Sequence, residues 1–364
     1  MRVLKTATLK NLTLACAGLI VGFAAASVLA QGNGQVVVAS FGGSYQDALR
    51  QAVFKPFEQE TGIKVVEAVG PSLVKMRAMV KAGNPEWDVV NILPGDYRLM
   101  SKEDGLQKLD YGAMDRKTFA DFPKEVIEPY GVGTFVYSEV IAFNTKRYTK
   151  ENGPKTWADV WDVKRFPGPR MLNAGNSVFK PFEYSLLADG VAPDKLYPLD
   201  LKRAYASLAR IKPYVVKWST TSAVIPDALI SGEAVIGPVT VGRVQQAKEQ
   251  GAPVDYVWNQ ALNEFDYWSV LKGAKNYKSA LKFIEYASRA ETQARFAMLQ
   301  VLGPLNKKAF RIIPLERAKL LPTFPENMEK SIQLKPEWWA EQDGSGKSNI
   351  DKNNAMWNAW MLQE

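Results

Sequence analysis

Asp266, Tyr267 and Trp268 stand side by side in the chain, a carboxylate next to two aromatic rings. Such a set can grip an alkylammonium group, because cation–π attraction and a desolvated ion pair act on the same cation. Arg243 offers the opposite chemistry, since a guanidinium can hold a carboxylate or phosphonate through two parallel hydrogen bonds. Asp96, in Leu93-Pro94-Gly95-Asp96-Tyr97, suits an ammonium or, equally, the cap of a following helix. Glu264 and Asp266 also allow a glycoside hydrolase with tryptophans as sugar platforms. That chemistry needs two carboxyls facing one bond, and the sequence nominates no clear pair.

Other chemistries are closed by composition. The 364-residue chain has no histidine, which removes Ser-His-Asp and Cys-His catalysis, His-ligated zinc and the usual neutral-pH base. Its one cysteine is Cys16. That residue lies in a stretch with the layout of a secretory signal: basic Arg2, Lys5 and Lys10, an apolar run from Asn11, and small residues up to Ala30. Cleavage after Ala30, expected in preference to an uncleaved membrane anchor or a lipoprotein site at Cys16, delivers a periplasmic protein and leaves no disulfide, thiolate or Cys-based metal site. No phosphate-cradling or nucleophile-elbow glycine motif occurs, so neither cofactor, metal nor catalytic residue is expected. The formal charge is +8, and without the three leader cations it is +5, from 43 basic and 38 acidic residues. These charges are spread along the chain without interleaved aromatics, which gives nucleic-acid binding little support.

The elements that must position such side chains follow from periodicity. Gln35–Ser40 reads as a buried strand, and Phe41-Gly42-Gly43 leads into a helix in which Ser44 and Asp47 resemble a capping box. Ala48, Leu49, Ala52, Val53 and Phe57 share that helix's inner face, and Gly62 stops it. A strand at Ile63–Val69, a helix at Leu73–Ala82 and a strand at Trp87–Leu93 complete an alternation that implies a parallel sheet covered by helices. The rhythm returns with a capped helix at Thr156–Trp161, an amphipathic helix at Leu201–Ile211, strands at Ala234–Val241 and Val254–Trp258, and a helical face of Ala280, Phe283, Ile284 and Ala287. Two α/β units result, with crossings expected near Tyr137–Asn144 and Glu264–Leu271. Trp338–Met361 is expected to form a terminal helix packed across them.

Ser40-Phe41-Gly42-Gly43-Ser44-Tyr45, Pro56–Val65, Trp87-Asp88-Val89-Val90, Ala142-Phe143-Asn144-Thr145, Thr156–Trp161, Ser231-Gly232-Glu233-Ala234, Tyr267-Trp268-Ser269 and Gly303-Pro304-Leu305-Asn306 occur in an order covering nearly the whole chain after the leader. In that order and spacing the chain resembles the extracellular solute-binding proteins of bacterial ABC importers, in the spermidine/putrescine-binding branch. The resemblance implies the two-lobed α/β periplasmic-binding-protein fold of type II, with mainly parallel sheets and a hinge. It divides the chain into a leader (1–30), lobe one (31–139), lobe two (140–263), a return to lobe one (264–325) and a helical segment across the lobes (326–364). A monomer that closes over its solute and docks on a membrane permease with its ATPase is implied.

The resemblance also implies where the solute sits: at the carboxyl ends of strands. It points to Phe41, Ser44 and Tyr45 in the first loop, to Asp96, to Tyr137 near the hinge, and to Asp266 and Trp268 as the amine grip. Each has a plainer alternative: a tight turn with Phe41 in the core, a helix cap, a packed tyrosine, a buried tryptophan. In the loop Asn173–Lys180, Ser177 and Lys180 stand where polyamine binders carry acids, and a further binding tryptophan maps near Thr240, beside Arg243. The expected cargo is a polyamine such as putrescine or spermidine. An anionic or zwitterionic solute held by Arg243, Ser44 and Ser177 is the alternative, and a carboxylate glycosidase is the alternative of another class.

Overall fold

Val36, Val37 and Val38 form the centre of a strand, Gln35–Ser40, that pairs in parallel with Lys64–Val69 on one side and Val89–Ile92 on the other. A strand with neighbours on both edges and helices on both faces reads as an apolar run, and this one does. In the computed structural model, which describes residues 34–177, 179–221 and 223–363, the main path of the sheet runs in the order Lys64–Val69, Gln35–Ser40, Val89–Ile92, Val254–Leu271, Gly131–Asn144, Ile236–Thr240, Arg170–Asn173, Val215–Ser219. Three parallel strands at each end thus flank two long antiparallel ones. All described residues belong to one compact unit, Gly32–Glu364.

The long strands carry the chain between two cores. Val132, Phe135 and Val136 are buried with the first three strands and the helix Tyr277–Ser288, whereas Ile141 and Phe143 are buried with Trp157, Phe182 and Tyr205. On the partner strand Leu262 belongs to the second core and Trp268 to the first. The crossing therefore lies where Tyr137, Ser138 and Glu139 pair with Glu264, Asn263 and Leu262. Of the stretch expected to cross, Glu264–Leu271, Tyr267 and Leu271 are already packed with Ala39, Val90 and Ile92. The stretch expected to return to lobe one divides its side chains: Phe296 packs in the first core, whereas Ala294, Ala297 and Val301 share a third cluster with Val140 and Val239.

Two local readings change. The first helix starts at Gly43 with Gly42 as its cap, so Ser44 lies in its first turn and makes no capping box with Asp47. Gly42 (φ 77°) and Gly43 (φ 59°) hold a left-handed turn that a side chain would resist. This helix passes through a π-turn at Arg50–Phe54 just before Pro56, whose missing N–H and ring disturb the i→i−4 pattern. The expected inner face is buried throughout. The terminal segment is not one helix: a 3-10 turn at Pro336–Ala340 is separated by Gly344 and Gly346 from the helix Asn349–Met361, which Ser348 and Asp351 cap reciprocally. The turn lies against the helix Pro94–Lys102, while Trp357 and Trp360 pack on Trp218 and Tyr205. The segment thus touches elements of both cores. Among the described residues no helix is long and apolar enough to cross a membrane.

Candidate functional site

Two cavities open where the cores meet. The larger, about 540 Å³, is lined by Phe41, Ser44 and Tyr45 from the first strand-to-helix loop, Tyr137 and Asp266 from the crossing strands, Ser177 and Phe179, and Thr240 to Arg243 at the start of the helix Val241–Glu249. Seven of the nine residues nominated from sequence thus surround one space. Asp96 lines the smaller cavity, about 250 Å³, with Glu139, Glu183, Glu264, Lys180, Tyr197 and Trp339. Leu93, Tyr137, Ser177 and Phe179 line both, and form the wall between them.

Trp268 is the correction. It is 1% exposed and lies in the first core with its ring edge-on to Phe283, 5.5 Å between centroids, so it forms no wall of either cavity. The reason is geometric: two residues along a strand advance about 7 Å, enough to carry the side chain from the cleft edge at Asp266 to beneath the helix Tyr277–Ser288. Phe41 departs from its plainer alternative, being 40% exposed rather than buried in the core. Its ring and that of Tyr45 lie 5.9 Å apart, and the Tyr45 hydroxyl donates to Asn91 Oδ1 at 2.6 Å. Ser177 Oγ is engaged by the backbone carbonyls of Ala174 and Phe179, so its hydroxyl shapes the loop.

The electrostatics of the crossing are those of acids kept out of water. Asp266 is buried, and its Oδ1 has no hydrogen-bond partner among the described residues. Burial, then the negative charge of Glu264, drive its pKa well above the ordinary range, against a hydrogen bond from Tyr137. The Tyr137 hydroxyl donates to Glu264 Oε2 at 2.7 Å, and Glu264 is pushed up to about 7, chiefly by burial. Glu139 accepts from Asn173 Nδ2 at 2.6 Å and is pushed up to about 8, again by burial, with Glu183 and Glu264 adding to it. Glu183 is raised by burial against hydrogen bonds that include Trp339 Nε1 and the Tyr197 hydroxyl. Lys180 is lowered by burial, with Glu183, Glu264 and Asp96 opposing that shift.

Arg243 is solvent-exposed and makes no hydrogen bond or ion pair among the described residues. It sits in the first turn of a helix whose opening N–H groups have no intrahelical partner and attract anions. The larger cavity therefore combines one carboxylate, one guanidinium and aromatic walls. Sequence reasoning missed Phe179, Glu139 and Glu183. Phe179 is an aromatic in a loop already singled out, but Glu139 and Glu183 lie among apolar neighbours and become site residues only when strand and helix meet.

Two α/β cores joined by crossing strands, with a polar cleft between them, define a two-lobed solute-binding protein. Residues 52–323 match the family described as bacterial extracellular solute-binding protein, and the chain belongs to that family. It is 34% identical to a γ-aminobutyric acid-binding protein of Pseudomonas aeruginosa over 87% of this chain and 90% of that one. It is 27% identical to spermidine/putrescine-binding periplasmic protein 1 of Haemophilus influenzae over 71% of this chain and 73% of the relative. An ABC transporter substrate-binding protein of Bradyrhizobium japonicum superposes with a TM-score of 0.82 at 35% identity, covering 90% of this chain and 100% of the other. The protein is the substrate-binding component of an ABC transporter, and its relatives are transport proteins, not enzymes.

Proposed function

We propose that the protein captures a small zwitterion whose ammonium and carboxylate are separated by a few methylenes, an ω-amino acid. The observation that carries this reading is the pairing of Asp266 and Arg243 as the one carboxylate and one cation among the described lining residues of the larger cavity. Asp266 suits the ammonium, because a buried acceptor without a partner gains a charge-assisted hydrogen bond. Arg243 and the helix N-terminus suit the carboxylate, and Phe41, Tyr45 and Phe179 suit the methylenes between. The γ-aminobutyric acid-binding relative supports this class of solute. Closure of the lobes over the solute then presents it to the membrane permease and ATPase, and the leader directs the protein, as a monomer, to the periplasm. It binds without transforming.

A polyamine is the second reading, favoured by the four carboxylates of the smaller cavity and by the spermidine/putrescine-binding relative. Thermal melts and calorimetry of residues 31–364 separate the two. A ligand at about 100 times its Kd adds about 2.7 kcal/mol to stability. On the proposed reading 4-aminobutanoate and 5-aminopentanoate raise the melting temperature and putrescine and spermidine do not; the reverse pattern overturns it.

A further inference from the structure

The smaller cavity is built as a receptor for an alkylammonium group, yet it already contains one. Asp96, Glu139, Glu183 and Glu264 line it, together with the indole of Trp339. Neutral donors fix three of these acids: Asn173 holds Glu139, Tyr137 holds Glu264, and Tyr197 with Trp339 holds Glu183. Such hydrogen bonds orient the acids without supplying a countercharge, and burial raises the pKa of all three, so that a cation among them is needed to hold them ionised. Carboxylates around an aromatic face are the chemistry that binds a cationic amine. Lys180 Nζ stands 5.2 Å from the centroid of the Trp339 ring and is the one cation among the described lining residues.

We infer that Lys180 is a specificity-determining residue: its ammonium, tethered to the chain, takes the position that the second ammonium of a diamine or polyamine would need. A lysine side chain is a four-carbon alkylammonium, half of such a solute in chemical terms. Tyr137 lines both cavities, and the acids that would take the second ammonium of a dication anchored at Asp266 line the smaller one, where Lys180 stands. Two ammonium groups in about 250 Å³ repel each other in a low-dielectric setting. A zwitterion that ends at Arg243 never enters that space. Burial lowers the pKa of Lys180 against the opposing pull of Glu183, Glu264 and Asp96, but even an uncharged amine on that tether fills the place beside Trp339.

The inference rests on the ω-amino acid reading, and calorimetry on four proteins separates the two. Wild type, Lys180→Met, Lys180→Gln and Lys180→Arg are each titrated with 4-aminobutanoate, putrescine and spermidine. The expected result is that Lys180→Met and Lys180→Gln gain putrescine or spermidine binding by at least tenfold, that Lys180→Arg excludes both amines as wild type does, and that 4-aminobutanoate affinity moves less than fivefold throughout. Either neutral variant suffices if the other does not fold. Folded neutral variants with no gain of amine binding overturn the role of Lys180, even where wild type binds 4-aminobutanoate. A wild type that ignores 4-aminobutanoate while a neutral variant gains an amine overturns the ω-amino acid reading and leaves the exclusion by Lys180 standing. A wild type that binds amines as tightly as the neutral variants overturns both.

Discussion

Replacing Asp266 by Asn tests the centre of the argument, because it keeps the shape and removes only the ability to carry charge. In the free protein burial and the charge of Glu264 raise the pKa of this carboxyl well above the ordinary range and so favour its protonated form. Binding an ammonium requires the proton to leave, so the affinity of wild type for an ω-amino acid must rise with pH and each binding event must release a proton. Truncating one partner of a buried charged pair costs about 2–5 kcal/mol. Each pH unit by which the carboxyl must be forced to ionise subtracts about 1.4 kcal/mol from that gain. The lower end of that range, about 2 kcal/mol, allows for this cost and corresponds to roughly a 30-fold loss of affinity in Asp266→Asn. Calorimetry at pH 8 in two buffers of different ionisation enthalpy measures both quantities. Wild type should show a buffer-dependent heat corresponding to proton release, and the variant neither that heat nor the affinity. A variant within threefold of wild type, or a wild type that takes up protons on binding, refutes the reasoning.

Arg243→Met should weaken 4-aminobutanoate by roughly 10- to 100-fold, since hydrogen bonds to charged groups contribute about 1.5–3 kcal/mol, while the unliganded melting temperature barely moves because Arg243 is exposed. Trp268→Phe should lower stability in urea by about 1–3 kcal/mol and leave the Kd within twofold, as expected of a core residue packed on Phe283. Gly175→Ala should cost about 1–3 kcal/mol by overpacking, since a Cβ there would lie 2.6 Å from Trp357 Cδ2 and 2.9 Å from Phe182 Cζ; protease accessibility of the terminal helix reports it. Glu139 holds its proton in the folded state up to about pH 8 and in the unfolded chain only up to its ordinary value of 4.5. The folded state therefore binds the extra proton across that window, and stability contributed by this group falls as pH rises through it. Urea denaturation at pH 5 and pH 9 should show Glu139→Gln losing roughly 2–4 kcal/mol less than wild type.

How far the sequence reveals the protein depends on the range of the interaction that sets each feature. The first strand, its glycine turn and Gly62 are local matters, and the alternation of strand, helix and strand could be read from a dozen residues at a time. The Thr156–Asp159 capping box is equally local and forms as expected. The Ser44–Asp47 pairing fails because the same local signal competes with Gly42-Gly43, whose left-handed turn begins the helix a residue earlier. Trp268 fails for a different reason. Its type is right for a ligand wall, but whether a strand residue faces cleft or core depends on where the covering helix ends, and the helix Tyr277–Ser288 is specified by its own apolar face, not by the strand.

The acids of the crossing show why solute identity is the least legible feature. Glu139, Glu183 and Glu264 come from a strand, a helix and a second strand, and nothing in the sequence brings the three together. Their burial is a property of lobe packing, and only that packing raises the pKa of all three. Ionising them together would set several like charges against one another at buried positions, which favours keeping some protonated or supplying a cation. Lys180 supplies one from the chain itself. A solute that brings a carboxylate for Arg243 and one ammonium for Asp266 leaves this balance undisturbed, whereas a second ammonium must displace a lysine that cannot leave. Discrimination in this cleft then depends on the cation the protein already holds, as much as on the groups it offers to the solute.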